Sequence, residues 1–239
     1  MKKVPVIILW AIAFAYVEAA VVEYLRALYY PPGTGGFAFP ILTLDELGAM
    51  GTEHLNRLTI EVGREIATLA MLALAAVAAS RNRREGWAYF MIAFGAWDIA
   101  YYIWLKIFLD WPAGLMTWDL LFLVPVPWVS PAAAPLIVSV TLIVSGLMVL
   151  AREDRGRPLS PTRTHWAFLT AGGLIVIVSF CWDYRNIMNG GVPNPFNWTL
   201  FFIGLAVGIT TFATILLRAP AGNVPEPSDR QVGHIPGRW

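Results

Sequence analysis

Residues 4–29 read VPVIILWAIAFAYVEAAVVEYLRALY, an apolar stretch that contains only three charged side chains, Glu18, Glu23 and Arg26. A helix rises about 1.5 Å per residue, so this stretch is long enough to cross a hydrocarbon core of about 30 Å. Five more apolar runs of similar length follow, near residues 57–80, 86–109, 132–151, 166–188 and 196–218. The sequence therefore predicts an all-α, polytopic membrane protein with six transmembrane helices.

The composition supports this class. Apolar residues make up 57% of the chain and charged residues only 14%, whereas a soluble domain has about 25% charged residues. Cys181 is the only cysteine in the sequence, which excludes an intramolecular disulfide and a cysteine metal cluster. We therefore expect the lipid bilayer to be the main partner of residues 1–218.

Several cofactor classes have no support in the sequence. The three histidines, His54, His165 and His234, fall in predicted loops or the tail, so a b-type haem site is not expected. The chain has no P-loop, dinucleotide fingerprint, H-E-x-x-H or G-x-S-x-G motif. It also has no basic face for nucleic acid. A divalent metal stays possible, because carboxylates are the oxygen ligands that Mg, Ca and Mn prefer.

The basic residues indicate an orientation, because cytoplasmic loops carry the excess of lysine and arginine. Clusters at residues 2–3, 81–84 and 152–163 fall on one side, and the opposite loops hold mainly acidic residues. Both termini are therefore predicted to be cytoplasmic, and residues 219–239, rich in Pro and Gly, are predicted to be a disordered cytoplasmic tail. On the outer side, Ile41–Met50 within residues 31–52 predicts an interfacial segment, and residues 111–131, broken by prolines, predict a re-entrant or interfacial one.

An internal repeat is visible in the odd spans. Residues 14–26 (FAYVEAAVVEYLR) align without gaps on residues 94–106 (FGAWDIAYYIWLK), which matches Glu18 with Asp98 and Arg26 with Lys106. The pair Trp97-Asp98 recurs faintly at residues 182–183. This pattern predicts three pseudo-repeated helical hairpins, each of which places one acid, Glu18, Asp98 or Asp183, at the same depth.

A charge at the centre of a bilayer costs about 2.5–3.5 kcal/mol on insertion scales, so intramembrane charges indicate a functional site. In the second span, Arg57, Glu61, Arg64 and Glu65 share one helix face. An ion-paired helix end is the structural alternative for these four, and Arg26 and Lys106 are expected to reach outward to the headgroups. The predicted ligand-binding residues, converging on one outer cavity, are Glu18, Glu23, Glu61, Arg64, Glu65, Asp98, Tyr102, Asp119, Asp183, Arg185 and Asn186.

Three segments resemble a known family: residues 16–20 (YVEAA), residues 94–106 and residues 179–183 (SFCWD) are similar to segments of bacterial six-span inner-membrane proteins with no assigned activity. The similarity covers most of the chain. It implies a location in the inner membrane of a bacterium and identifies no catalytic residue.

Three functional hypotheses follow. In the first, the acidic cavity binds a cation, a metal ion or a small cationic ligand from the periplasmic side, for transport or sensing; the metal-ligand candidates are Glu18, Glu61, Asp98, Asp183 and His54. In the second, the protein is an enzyme that acts on a lipid or isoprenoid headgroup. Its general base or metal ligand would be Glu18, Asp98 or Asp183, and Arg64 or Arg185 would hold a phosphate. In the third, the protein is a structural subunit of a membrane assembly.

Overall fold

The computed structural model describes residues 2–29 and 39–218. It contains six helices long and apolar enough to cross a membrane, which confirms the predicted six-span, mostly helical architecture. The spanning helices are α1 (Val4–Tyr29), α3 (Thr52–Ala79), α4 (Arg83–Leu109), α5 (Ala133–Asp154), α6 (Arg163–Cys181) and α8 (Trp198–Arg218). The predicted tail, residues 219–239, lies outside the described residues, and so do residues 30–38, which include the first part of the predicted outer stretch 31–52.

One boundary and one helix differ from the prediction. The second span begins at Thr52 instead of residue 57, because the polar first turn with Glu53 is already helical. The fifth span ends at Met188, as predicted, but its helix is interrupted after Cys181 and continues as a short helix α7 (Tyr184–Met188). Asp183 lies between these two helices.

The spans alternate in direction, which gives the bundle two chemically different ends. At one end the ion pair between Arg84 and Glu153 joins the start of α4 to the end of α5. We call this the arginine end. At the other end lie two strands, β1 (Trp118–Phe122) and β2 (Trp128–Pro131), between α4 and α5. We call this the hairpin end.

Glycines allow two pairs of helices to cross closely. A Cβ added to Gly95 of α4 would stand 2.5 Å from the carbonyl oxygen of Ser139 on α5, and one added to Gly146 would stand 2.7 Å from that of Ala88. A Cβ at Gly172 of α6 would stand 2.9 Å from the carbonyl oxygen of Gly204 on α8. Small residues at helix contacts are the usual means of close packing in membranes. The bundle therefore contains two tight pairs, α4 with α5 and α6 with α8.

The first predicted hairpin is not a closely packed pair. Helix α1 packs along α4, and it touches α3 over a much shorter stretch. Helix α3 also packs mainly on α4. Helices α1, α3, α4 and α5 thus form one group around α4, and α6 with α8 forms a second group that meets the first mainly through the strands and part of α5.

The predicted re-entrant or interfacial segment is an antiparallel β-hairpin. Trp118 pairs with Pro131 and Asp119 with Ser130, and the register shifts between Leu120 and Phe122. The strands satisfy each other's backbone groups, which a non-helical segment buried in a membrane protein requires. Pro125 and Pro127 lie in the connection between the strands, where no ladder hydrogen bond is lost.

The described part of the other predicted interfacial segment contains a short helix, α2 (Leu44–Ala49), which packs on α3. Thr43 and Glu46 form a capping box: the backbone N–H of Thr43 donates to Glu46 (2.7 Å), and the backbone N–H of Glu46 donates to the Thr43 hydroxyl (3.3 Å). The backbone N–H and the hydroxyl of Thr43 both donate to the exposed Glu46 carboxylate, at 2.7 and 2.8 Å, and these two hydrogen bonds lower the pKa of that carboxyl.

Candidate functional site

A cavity of about 1290 Å³ lies between the two groups of helices. Most of its wall is apolar and comes from α4, α5, α6 and α8, with an aromatic share from residues such as Phe90, Phe94, Phe180 and Phe212. Its wall toward the hairpin end carries a set of charged and polar side chains: Glu18, Arg64, Glu65, Thr68, Asp98, Tyr101, Tyr102 and Asp119. We call this set the polar wall. Six of its members are among the predicted ligand-binding residues.

Glu18 is fixed from α3. Glu18 is only 4% exposed, and it forms an ion pair with Arg64. The hydroxyl of Thr68 donates to Glu18 Oε1 at 2.7 Å. Arg64 also pairs with Glu61, and its Nε donates to Glu61 Oε2 at 2.9 Å. Arg64 therefore lies between two carboxylates and pairs with both, as buried charges require.

Asp98 has fewer polar partners than Glu18 among the described residues. Asp98 is 8% exposed, and the Ser139 hydroxyl on α5 donates a hydrogen bond to its Oδ2 at 2.8 Å. Asp98 thus resembles Glu18 in having a hydroxyl partner on the following span. It differs in that the described residues give it no ion pair, and a carboxyl group with a free oxygen beside a cavity is available for a ligand.

Asp119 reaches into the bundle from β1. Tyr102 donates its hydroxyl hydrogen to Asp119 Oδ2 at 2.9 Å, and the backbone N–H of Leu120 donates to Oδ1 at 2.9 Å. The guanidinium of Arg26 lies 3.7 Å from Oδ1 and stacks 3.9 Å above the ring of Trp111. Burial raises the pKa of Asp119 to about 6, while Arg26 and the Tyr102 hydrogen bond act in the opposite direction.

Glu65 connects α3 to the hairpin. The backbone N–H of Leu123 lies 3.0 Å from Oε1 and 2.9 Å from Oε2 of this carboxylate. Leu123 follows β1 directly. Glu65 and Asp119 are therefore anchors of the β-hairpin as well as members of the polar wall.

Three predicted site residues lie apart from the cavity. Asp183 accepts hydrogen bonds from Asn186 Nδ2 (3.0 Å) and from the backbone and side-chain nitrogens of Asn194 (both 2.8 Å). Arg185 is exposed, and its Nε donates to the Tyr184 hydroxyl at 3.0 Å. Because α6 ends at Cys181, Asp183 lies beyond the helix and organises the loop before α8. Neither it nor Arg185 nor Asn186 lines the cavity.

Glu23 and His54 are also outside the polar wall. Glu23 is half-buried on α1 and does not line the cavity. The His54 ring meets the edge of Tyr29, with ring centres 5.7 Å apart. Within residues 2–29 and 39–218, no three His, Cys, Asp or Glu side chains form a group that could hold a metal. Among these residues, Glu18 and Glu61 lie on either side of Arg64, but no three of the five metal-ligand candidates are brought together.

Sequence reasoning missed several members of the site. Arg26 was expected at the headgroups, but it is buried beside Asp119 and Trp111, which come from a distant part of the chain. Lys106, its counterpart in the repeat, is exposed and pairs with Asp110 at 2.6 Å. Thr68 follows Arg64 by one helical turn, so the polar face of α3 already pointed to it. Ser139 and Tyr101 have no comparable signal in the sequence.

Comparison of the chain with protein-family models, curated proteins and solved structures finds no match. The resemblance to bacterial six-span proteins therefore stays a prediction.

Proposed function

We propose that this protein binds an amphiphilic molecule dissolved in the membrane, a lipid or isoprenoid, and holds its polar head at the polar wall. The observation that supports this proposal is the cavity itself, about 1290 Å³ with walls that are mainly apolar and a polar wall toward one end. Ligand cavities of about 300–1,000 Å³ already enclose drug-sized molecules. A long apolar chain fits this shape better than a bare ion does.

The cavity also has a route from the lipid. Val140, Val144 and Met148 of α5 and Ile209 of α8 line the cavity and are exposed, and α5 and α8 contact each other only over a short stretch. Arg152 of α5 donates to the carbonyl oxygen of Leu216 on α8 (2.9 Å) and so closes the arginine end of this gap. An amphiphile can therefore enter sideways between α5 and α8.

The polar wall favours a head that donates hydrogen bonds or carries positive charge. Five carboxyl groups lie in or beside the wall, and two guanidinium groups, Arg26 and Arg64, accompany them; the carboxyl groups belong to Glu18, Glu61, Glu65, Asp98 and Asp119. Glu18 and Glu61 share Arg64, and Glu65 and Asp119 anchor the hairpin. If the protein is an enzyme, Asp98 is thus the best-placed general acid or base.

Two matched glycine substitutions test the proposal. Gly173 lines the cavity, and an added Cβ there meets nothing within 4 Å, so we expect Gly173→Leu to place its side chain in the cavity. An added Cβ at Gly63 of α3 also meets nothing within 4 Å, but Gly63 does not line the cavity. Gly63→Leu is therefore the control. Native mass spectrometry from gentle detergent should show a lipid-sized adduct on the wild type and the control that Gly173→Leu loses. Equal retention by all three proteins would reject the proposal.

A second candidate, binding of a cation or a small cationic ligand, is favoured by the excess of carboxyl groups at the polar wall. Gly173→Leu distinguishes the two candidates. Asp98→Asn removes a charge but still accepts the hydrogen bond of Ser139. A cation should be lost in Asp98→Asn and kept in Gly173→Leu, whereas an amphiphile should be displaced by Gly173→Leu.

We further propose that the protein lies in a bacterial inner membrane with the hairpin end facing the periplasm and both termini in the cytoplasm. The arginine end carries Arg81, Arg83, Arg84, Arg155 and Arg157, and the positive-inside rule assigns such an end to the cytoplasm. Cysteines at the exposed Ala113 (hairpin end) and Ser160 (arginine end), in a Cys181→Ala background, test this. A membrane-impermeant thiol reagent on intact spheroplasts should label only the cysteine at position 113.

A further inference from the structure

A second, smaller cavity of about 200 Å³ adjoins the polar wall at the hairpin end. It is bounded by α1, α3, β1 and the segment before α2, through residues such as Leu25, Leu42 and Leu58. Six residues line both this cavity and the larger one: Val22, Arg64, Glu65, Tyr101, Asp119 and Leu121. The two cavities therefore meet at the polar wall.

The second cavity becomes more buried toward the polar wall and is charged along its length. The side chain of Arg57 is 36% exposed, that of Glu61 is 15% exposed and that of Asp119 is 2% exposed. Each of these charges has a partner of opposite sign: Arg57 pairs with Glu53, Glu61 with Arg64, and Asp119 with Arg26. Most of the lining is apolar, but a cavity of this volume has room for several water molecules, and the paired charges within the lining supply hydrogen-bond partners for them.

We infer that this second cavity is a hydrated vestibule that brings water and small hydrophilic solutes to the polar wall. The hydration of the vestibule is independent of the proposed function, but the meeting of two ligands at the polar wall rests on it. In that case an amphiphile enters from the lipid between α5 and α8, and a hydrophilic reactant enters from the hairpin end. Arg64 and Glu65 are then the residues at which molecules from the two phases meet. The class of ligand for the vestibule is water or a polar molecule small enough for about 200 Å³.

Neighbouring valines on α1 provide the test. Val22 lines both cavities, whereas Val21 lines neither; both are half-buried, and they lie at nearly the same depth. In a Cys181→Ala background, Val22→Cys and Val21→Cys are exposed to a charged methanethiosulfonate reagent in vesicles. Only a thiolate reacts, and a thiolate forms only where water reaches it. We expect Val22→Cys to be labelled at least about tenfold faster.

Two additional substitutions separate the vestibule from the larger cavity. Leu58→Trp fills the vestibule and should slow the labelling of Val22→Cys, whereas Gly173→Leu fills the larger cavity and should leave that rate unchanged. Equal labelling rates for both cysteines, or a labelling rate of Val22→Cys that does not change with Leu58→Trp, would overturn the inference even if an amphiphile co-purifies. Fast labelling that is sensitive to Leu58→Trp would support the vestibule even if Gly173→Leu showed that no amphiphile binds.

Discussion

Arg64 is the charge on which the polar wall depends, because it forms ion pairs with both Glu18 and Glu61. Removing one partner of a buried ion pair typically costs about 3–5 kcal/mol, since the other charge stays buried. We expect Arg64→Met to lower the free energy of unfolding by about that amount. The double variant Glu18→Gln/Arg64→Met should lose less, because the more deeply buried carboxylate is then neutral. Denaturant unfolding in detergent measures both, and a double variant no more stable than Arg64→Met would contradict this account.

Asp119 should make stability depend on pH. Its pKa is raised from 3.8 to about 6 in the folded protein, so between these values the folded state binds more protons than the unfolded state. The contribution of Asp119 to the free energy of unfolding is therefore largest below pH 4 and falls as the pH rises to about 6. The total fall is up to about 3 kcal/mol, at about 1.4 kcal/mol per pKa unit. Thermal unfolding at pH 4–7 should show this fall in the wild type and not in Asp119→Asn. The control Asp110→Asn, at an exposed helix end, should keep the fall.

Single residues show what the sequence could predict about the site. Glu18 and Asp98 were predicted because an acid well inside an apolar span is costly, and both line the cavity. Asp183 matched the same pattern, but helix α6 ends before it, and Asn186 and Asn194 donate hydrogen bonds to its carboxylate. Arg26 was placed at the interface because its partners Asp119 and Trp111 lie about 90 residues away in the sequence. Helical periodicity predicts how deep a residue lies in the membrane and on which face of its helix. It gives no information on partners that are distant in the sequence.

At the level of helices, Gly172 and Gly173 form a natural pair of test and control. A Cβ at Gly172 would stand 2.9 Å from the Gly204 carbonyl oxygen and 2.9 Å from the Gly208 nitrogen, and neither backbone atom can move easily. Gly172→Ala should therefore destabilise the α6–α8 pair by about 1–3 kcal/mol, as overpacking does. Gly173→Ala meets nothing within 4 Å and should be neutral or slightly stabilising through its better helix propensity. Equal melting temperatures for the two variants would contradict the close crossing.

The β-hairpin could be predicted only in outline. Prolines at positions 125, 127 and 131 excluded a regular helix through this segment, and this was visible in the sequence. The pairing of Trp118–Phe122 with Trp128–Pro131 was not visible, because the strands have no regular alternation of apolar and polar residues. What fixes the hairpin is tertiary: Glu65 accepts from Leu123, and Tyr102 donates to Asp119. Two of the predicted ligand residues are thus also structural anchors.

The whole bundle explains why similar acids have different surroundings. The group of four helices around α4 and the separate α6–α8 pair leave a gap, and residues that face this gap define the site. Glu18 and Asp98 face it from the larger group. Asp183 belongs to the smaller group and lies at its loop, so the third element of the predicted repeat contributes to folding instead of to the cavity.

This division predicts opposite effects for the same chemical change at Asp98 and Asp183. Asp98→Asn can still accept from Ser139, so we expect its melting temperature to stay close to that of the wild type while ligand retention falls by roughly tenfold or more, the loss of one charged hydrogen bond. Asp183→Asn weakens three hydrogen bonds that hold the loop before α8, so it should lower stability by about 1–3 kcal/mol and leave retention unchanged. Native mass spectrometry and thermal unfolding of both variants give the comparison. If Asp183→Asn lost the ligand and Asp98→Asn kept it, the cavity between the two helix groups could not be the binding site.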